Sequence, residues 1–163
     1  MKRISLTLCL AFLTVLFCQA QVAPLKFNKN GEFKIVQFTD IHFQYHNPAS
    51  AIALKRINEV LDAERPDLIV FTGDVVYAPP ADTAMRAVLD CASSRKIPFV
   101  VTFGNHDNEQ GKTRAELYDI IRSMPYNIQP DRGSVESPDY VLTVKSSDGK
   151  KDASVLYCLD SHS

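Results

Sequence analysis

Apolar residues in this chain follow two rhythms: short continuous runs, and longer stretches that repeat every three or four positions. The runs Phe33–Phe38, Leu68–Thr72 and Ile97–Thr102 are rich in β-branched and aromatic side chains and are predicted as strands. The first is almost continuously apolar, so it is expected to be covered on both faces. A helix is predicted from about Pro48 to Glu64, where Ala53, Leu54, Ile57, Val60 and Leu61 share a face. Pro48 suits its first turn and Pro66 ends it. A second helix, about Ala81 to Ser94, follows Pro79-Pro80 and carries the stripe Ala84, Val88 and Cys91, flanked by Met85 and Leu89. Thr113 with Glu116 makes a capping box for a third, ending near Met124-Pro125. Residues 126–138 read as irregular. Tyr140–Val144 and Ser154–Leu159 then read as a hairpin around Ser147-Asp148-Gly149.

Strand alternating with helix implies an α/β fold with a parallel sheet and helices packed on it. The last two strands break the rhythm and are expected to begin a second, antiparallel layer. The chain has 163 residues, room for one domain, with 45% hydrophobic and 23% charged residues. A formal charge of −1 and the lack of any basic run argue against a nucleic-acid partner.

Residues 1–20 read as a signal peptide. Lys2 and Arg3 precede an apolar stretch, Ile4 to Phe17, too short to span a bilayer, and Cys18-Gln19-Ala20 fits a cleavage site. Residues 21–163 are then the mature domain, secreted or periplasmic, with no membrane span after cleavage. Lipid anchoring through Cys18 is disfavoured by the bulky Phe17 before it. Export permits a disulfide between Cys91 and Cys158, yet both lie in apolar surroundings, and buried free thiols are expected.

Each of the first three strands runs into a polar cluster: Asp40-Ile41-His42, Gly73-Asp74 and Gly104-Asn105-His106-Asp107. These lie about one βαβ unit apart, which delivers them to the carboxyl edge of consecutive parallel strands, where open α/β sheets place their sites. Asp40 and His42 project to the same side and can chelate one cation. Asp74 follows a glycine that permits a sharp turn, and its two oxygens can bridge two cations. Asn105 offers an amide oxygen to the second. Oxygen and nitrogen donors without thiolate suit Fe, Mn or Zn. Two such ions would lower the pKa of a bridging water and clamp a displacement at phosphorus. His106 is expected to act at the leaving-group oxygen, with Asp107 accepting from its other ring nitrogen to hold the ring.

Each cluster alone has a plainer reading, as a turn or a surface histidine; it is the three in order that point to a metal site. They resemble the calcineurin-like metallophosphoesterases, with Phe33–Gln44 most similar to the purple-acid-phosphatase-like branch. The resemblance is strongest over residues 33–107. It implies a layered α/β/β/α sandwich and a dinuclear centre hydrolysing phosphate esters. Asp40 and His42 would hold the first metal, Asp74 would bridge, and Asn105 would hold the second. His106 would assist the leaving group, and Asn105 and His106 would contact the substrate.

The family pattern continues with a further histidine and a C-terminal Gly-His-x-His, which this chain lacks; the context of His162 does not match. The sandwich is therefore expected to be incomplete at the C-terminus, with one sheet face uncovered, as the N-terminal half of a longer enzyme or a truncated product. Tyr77 is expected to pack near the metals rather than bind one, and His46 to lie on a loop near the substrate mouth. Two rivals remain: a non-catalytic fragment binding at most one metal, and a glycosidase using Asp40 and Asp74, which would survive chelation. Neither GxxxxGK[ST] nor GxGxxG occurs, which disfavours a nucleotide-binding protein.

Overall fold

The computed structural model describes residues 22–161, so the signal-peptide segment and His162 lie outside the described residues. Three parallel strands, β1 (Ile35–Phe38), β2 (Leu68–Thr72) and β3 (Phe99–Thr102), form a sheet in the order β1-β2-β3. Helix α1 (Ala51–Glu64) connects β1 to β2, and α2 (Ala81–Ser93) connects β2 to β3. After α3 (Arg114–Arg122), β4 (Tyr140–Lys145) and β5 (Asp152–Cys158) form an antiparallel hairpin.

The strands alternate between two cores. Ile69, Phe71, Phe99 and Val101 face the helices, packing with Ile57 and Leu61 of α1, Met85, Val88 and Leu89 of α2, and Leu117 and Ile121 of α3. Leu68, Val70 and Val100 face the other way, onto Tyr140, Leu142, Val144 and Cys158 of the hairpin. Tyr140 donates its hydroxyl to the Val101 carbonyl at 3.1 Å, tying hairpin to sheet. The layers are thus helix, parallel sheet and antiparallel hairpin. The hairpin's outer face carries Val141, Val155 and Tyr157, which are 52%, 44% and 72% exposed, and no element among the described residues covers it.

The helix signals act where the sequence puts them. Pro48–Ser50 forms a single 3₁₀ turn capped by Asn47, whose side chain accepts from the Ala49 N–H at 3.0 Å, and α1 follows directly. Its end is the left-handed Arg65, one residue before Pro66. At α3 the Thr113–Glu116 capping box is present in both directions. Cys91 and Cys158 are free and buried, one in each core.

One expectation fails. β1 is an edge strand, with Ile35 40% exposed and Gln37 exposed, because it pairs only with β2. Its apolar run places Phe38 on the helix side and Phe33 against the hairpin-side core, but the cover is partial. The opposite edge is guarded. Asn127 bridges to Phe99, and the Gln129 side-chain oxygen accepts from the Val101 N–H at 2.9 Å, so the irregular segment shields β3. No helix among the described residues is long and apolar enough to cross a membrane.

Candidate metal centre

Pairing between β1 and β2 continues past the strand ends into the loops that follow. The N–H of Asp40 donates to Gly73, that of His42 to Asp74, that of Phe43 to Val75, and that of Tyr77 back to Phe43, at 2.9–3.1 Å. This ladder holds Asp40, His42 and Asp74 in the left-handed region, with φ of 53°, 48° and 51°. Asp and His tolerate that region better than most residues, but it still costs energy and concentrates at functional sites. The buried Phe43 and Val76, bridged through their backbones, anchor the far end.

The β3 loop joins through glycine. A Cβ on Gly73 would sit 2.6 Å from the Gly104 nitrogen, and one on Gly104 would sit 2.5 Å from the Asp74 nitrogen and press on its carboxylate. Only two residues without side chains allow this approach, and Gly73 also has φ of 92°. Across the junction the Asp74 Oδ1 accepts the His106 N–H at 3.0 Å.

These contacts bring three sequence-predicted ligands together. The His42 Nε2 lies 3.8 Å from Asp40 Oδ1 and 3.7 Å from Asp74 Oδ2, and one ligand atom from each residue falls within 4.8 Å of the others. The side chain of Asp74 is 13% exposed and that of Asp40 64%. No lysine or arginine among the described residues pairs with either carboxylate. Two like charges about 4 Å apart repel by roughly 1 kcal/mol in water and about 4 kcal/mol at a surface dielectric near 20, a cost that a cation between them reverses. Two carboxylates and an imidazole converging without thiolate or ammonium suit a divalent metal. Asn105 is exposed on the loop after β3, between Gly104 and His106, whose N–H groups donate to Asp107 and Asp74.

Asp107 is elsewhere than expected. Rather than holding the His106 ring, it is fully buried and accepts four backbone N–H groups. Its Oδ2 takes Asp74 and Gly104, each at 3.0 Å, and its Oδ1 takes Val75 and Val76 at 2.8 and 3.1 Å. Burial pushes its pKa above the ordinary carboxylate value against the pull of those donors. Asp107 is a buckle between the second and third loops.

The ring of His106 meets Glu109 instead, with Nδ1 2.7 Å from Oε2, and this bond, reinforced by the Glu109, Asp74 and Asp107 charges, raises the imidazole pKa above 6.5. Asp107–Glu109 forms one 3₁₀ turn, so position i+3 folds over His106; that spacing was the overlooked signal. Tyr77 is 43% exposed and presents its ring edge-on to His42 and His106, with centroids at 4.9 and 5.0 Å, as a wall of the site. His46 is exposed against Tyr45 on the β1 loop. Arg114 was also overlooked. It is buried, grips Asp160 through both carboxylate oxygens at 2.7 and 3.0 Å, and donates to the Gly104 carbonyl at 3.1 Å. A charge in a first helical turn carries no sign of such burial.

The α/β fold with an Asp/His cluster at its carboxyl edge points to the metallophosphoesterase class of folds. A family model described as calcineurin-like phosphoesterase matches residues 33–157, and the chain belongs to that family. Among curated relatives it is 37% identical over 123 residues to "Probable inactive purple acid phosphatase 29" of Arabidopsis thaliana, covering 65% of this chain and 32% of that protein. It is 30% identical over 156 residues to "Phosphatase DCR2" of Saccharomyces cerevisiae, covering 81% of this chain and 27% of that one. Over 85 residues, 52% of this chain and 25% of the relative, it is 31% identical to "UDP-2,3-diacylglucosamine pyrophosphatase LpxG" of Chlamydia trachomatis. The chain spans about a third or less of the length of these relatives.

Proposed function

We propose that this protein is an exported, metal-dependent phosphoesterase with a dinuclear centre. The supporting observation is the meeting of Asp40, His42 and Asp74 within 4.8 Å at the carboxyl edge of the sheet. In this reading Asp40 and His42 would hold one ion, Asp74 would serve both, and Asn105 would serve the second. When bound, such ions supply Lewis-acid polarisation of the phosphoryl oxygen and a water acidic enough to attack near neutral pH.

The chain's own residues do the rest. Asn105 and His106 orient the phosphoryl group. As water adds to phosphorus and the bond to the ester oxygen breaks, His106 passes a proton to the departing oxygen, leaving an alcohol and phosphate. The ring of Tyr77 walls the same space and limits where His106 can swing.

A second reading has support of its own: three of the relatives are named as probable inactive purple acid phosphatases. A non-catalytic, metal-binding remnant of the fold would retain the Asp40–His42–Asp74 cluster without turnover. Metal analysis of the purified protein together with hydrolysis of p-nitrophenyl phosphate separates the two. The enzyme reading expects two ions per chain and turnover that is lost in Asp74→Asn. One weakly held ion and no turnover with Fe, Mn or Zn supplied would favour the remnant.

A further inference from the structure

We propose that Glu109 is the positioning residue for His106, keeping the ring proton on Nδ1 and leaving Nε2 as the nitrogen that exchanges a proton with the substrate. This rests on the phosphoesterase reading of the same site. The 2.7 Å contact between His106 Nδ1 and Glu109 Oε2 is its first support. The second is that Asp107, the other carboxylate beside this histidine, has both oxygens committed to backbone N–H groups. The third is backbone geometry. Glu109 returns its N–H to the His106 carbonyl at 3.2 Å, closing the turn that sets the carboxylate over the ring. Gln110 adds a side-chain N–H to the same carbonyl at 3.3 Å.

His106 is thereby fixed at three points. Its N–H is on Asp74, its carbonyl is in the turn, and its Nδ1 is on Glu109. The ring lies beside the cluster, its centroid 5.5 Å from that of His42, and Nε2 is the ring nitrogen that Glu109 leaves unengaged. Neutral imidazole otherwise favours the proton on Nε2; an acceptor placed at Nδ1 reverses that choice, so the ring that has given its Nε2 proton to the leaving group keeps the other on Nδ1. The Glu109 side chain is 53% exposed and that of His106 30%, so the pair contributes little to folding stability. Its effect lies in orientation and tautomer.

Long-range proton–nitrogen NMR on the full chain with nitrogen-15-labelled histidine tests this directly. Spectra are taken at alkaline pH, where the imidazole is neutral, and His106 is assigned from its loss in His106→Gln. The wild type is expected to carry the proton on Nδ1. Glu109→Gln, whose amide oxygen can still accept, is expected to keep it there, and Glu109→Ala to revert to Nε2, with thermal stability unchanged. In turnover, Glu109→Ala is expected to lower kcat about 10- to 100-fold on an alkyl phosphate and less on p-nitrophenyl phosphate, whose leaving group needs no proton, with KM and metal content unchanged. A proton on Nε2 in the wild type, or the same tautomer in wild type and Glu109→Ala, overturns the proposal. Absence of hydrolysis in the wild type would overturn the phosphoesterase reading instead, and the tautomer would still decide the role of Glu109 on the ring.

Discussion

The carboxylate of Asp107 accepts the backbone N–H of Asp74 at 3.0 Å, fastening the loop after β3 to the loop after β2. Three more N–H groups share the same side chain. A motif residue that sequence alone assigns to proton chemistry is thus committed to holding the backbone on which the ligands ride. Asp107→Asn replaces one acceptor oxygen with an amide that faces N–H donors. It is expected to destabilise the chain by about 2–4 kcal/mol, because buried donors lose their partner. Urea unfolding measures this; unchanged stability with altered turnover would return Asp107 to the catalytic role.

The glycine contact between the same two loops gives a sharper separation of site from fold. Gly104→Ala places a methyl group against the Asp74 carboxylate and backbone, at a loop junction rather than inside a strand or helix. Far-ultraviolet circular dichroism is expected to stay native, and metal affinity measured by calorimetry to fall at least about tenfold. Affinity equal to wild type would mean the loops can part without disturbing the ligands.

Metal loading is expected to stabilise the folded chain through the cluster that repels itself when empty. At about 100 times Kd, a single site adds about 2.7 kcal/mol, visible as a rise in Tm that chelator reverses. Asp74→Asn removes the central carboxylate and is expected to abolish the rise. A rise of the same size in that variant would place the metal elsewhere.

Acid is expected to loosen α3. Glu116 is held below its ordinary value of 4.5 by the Thr113 N–H first, then by Lys112 and the Thr113 hydroxyl, and Asp119 below 3.8 by Arg132. Depressed carboxylates contribute stability that is fully present above their unfolded values and is lost as pH falls through the folded ones. Metal-free Tm should therefore decline below about pH 4.5, and Glu116→Gln should flatten part of that decline. Thr113→Ala removes the hydroxyl half of the cap and is expected to cost about 1 kcal/mol at neutral pH. A pH profile identical in Glu116→Gln and wild type would remove the capping box from the account.

The order of elements, the α3 capping box, the stop before Pro66 and the meeting of Asp40, His42 and Asp74 at the sheet edge were all legible in the sequence. Each depends on neighbours within a turn of helix or on the end of an apolar run. The edge position of β1 was not legible, because its apolar run reads the same whether one side or both carry a partner strand. Arg114 was also hidden. A guanidinium in a first helical turn looks solvated until Asp160, 46 residues away, closes on it.

The sequence by itself determined which residues could bind metal and that successive strands would carry them to one edge, since strand, helix and turn propensities act over a few residues. Only the tertiary structure decided what each polar group does there. Asp107 and Glu109 are both carboxylates within three residues of His106, and nothing local distinguishes them. Packing of the β3 loop against Gly73 turns one inward onto four N–H groups and leaves the other beside the ring. A side chain's role follows from the donors and acceptors that distant chain brings to it, and those are fixed only when the cores close.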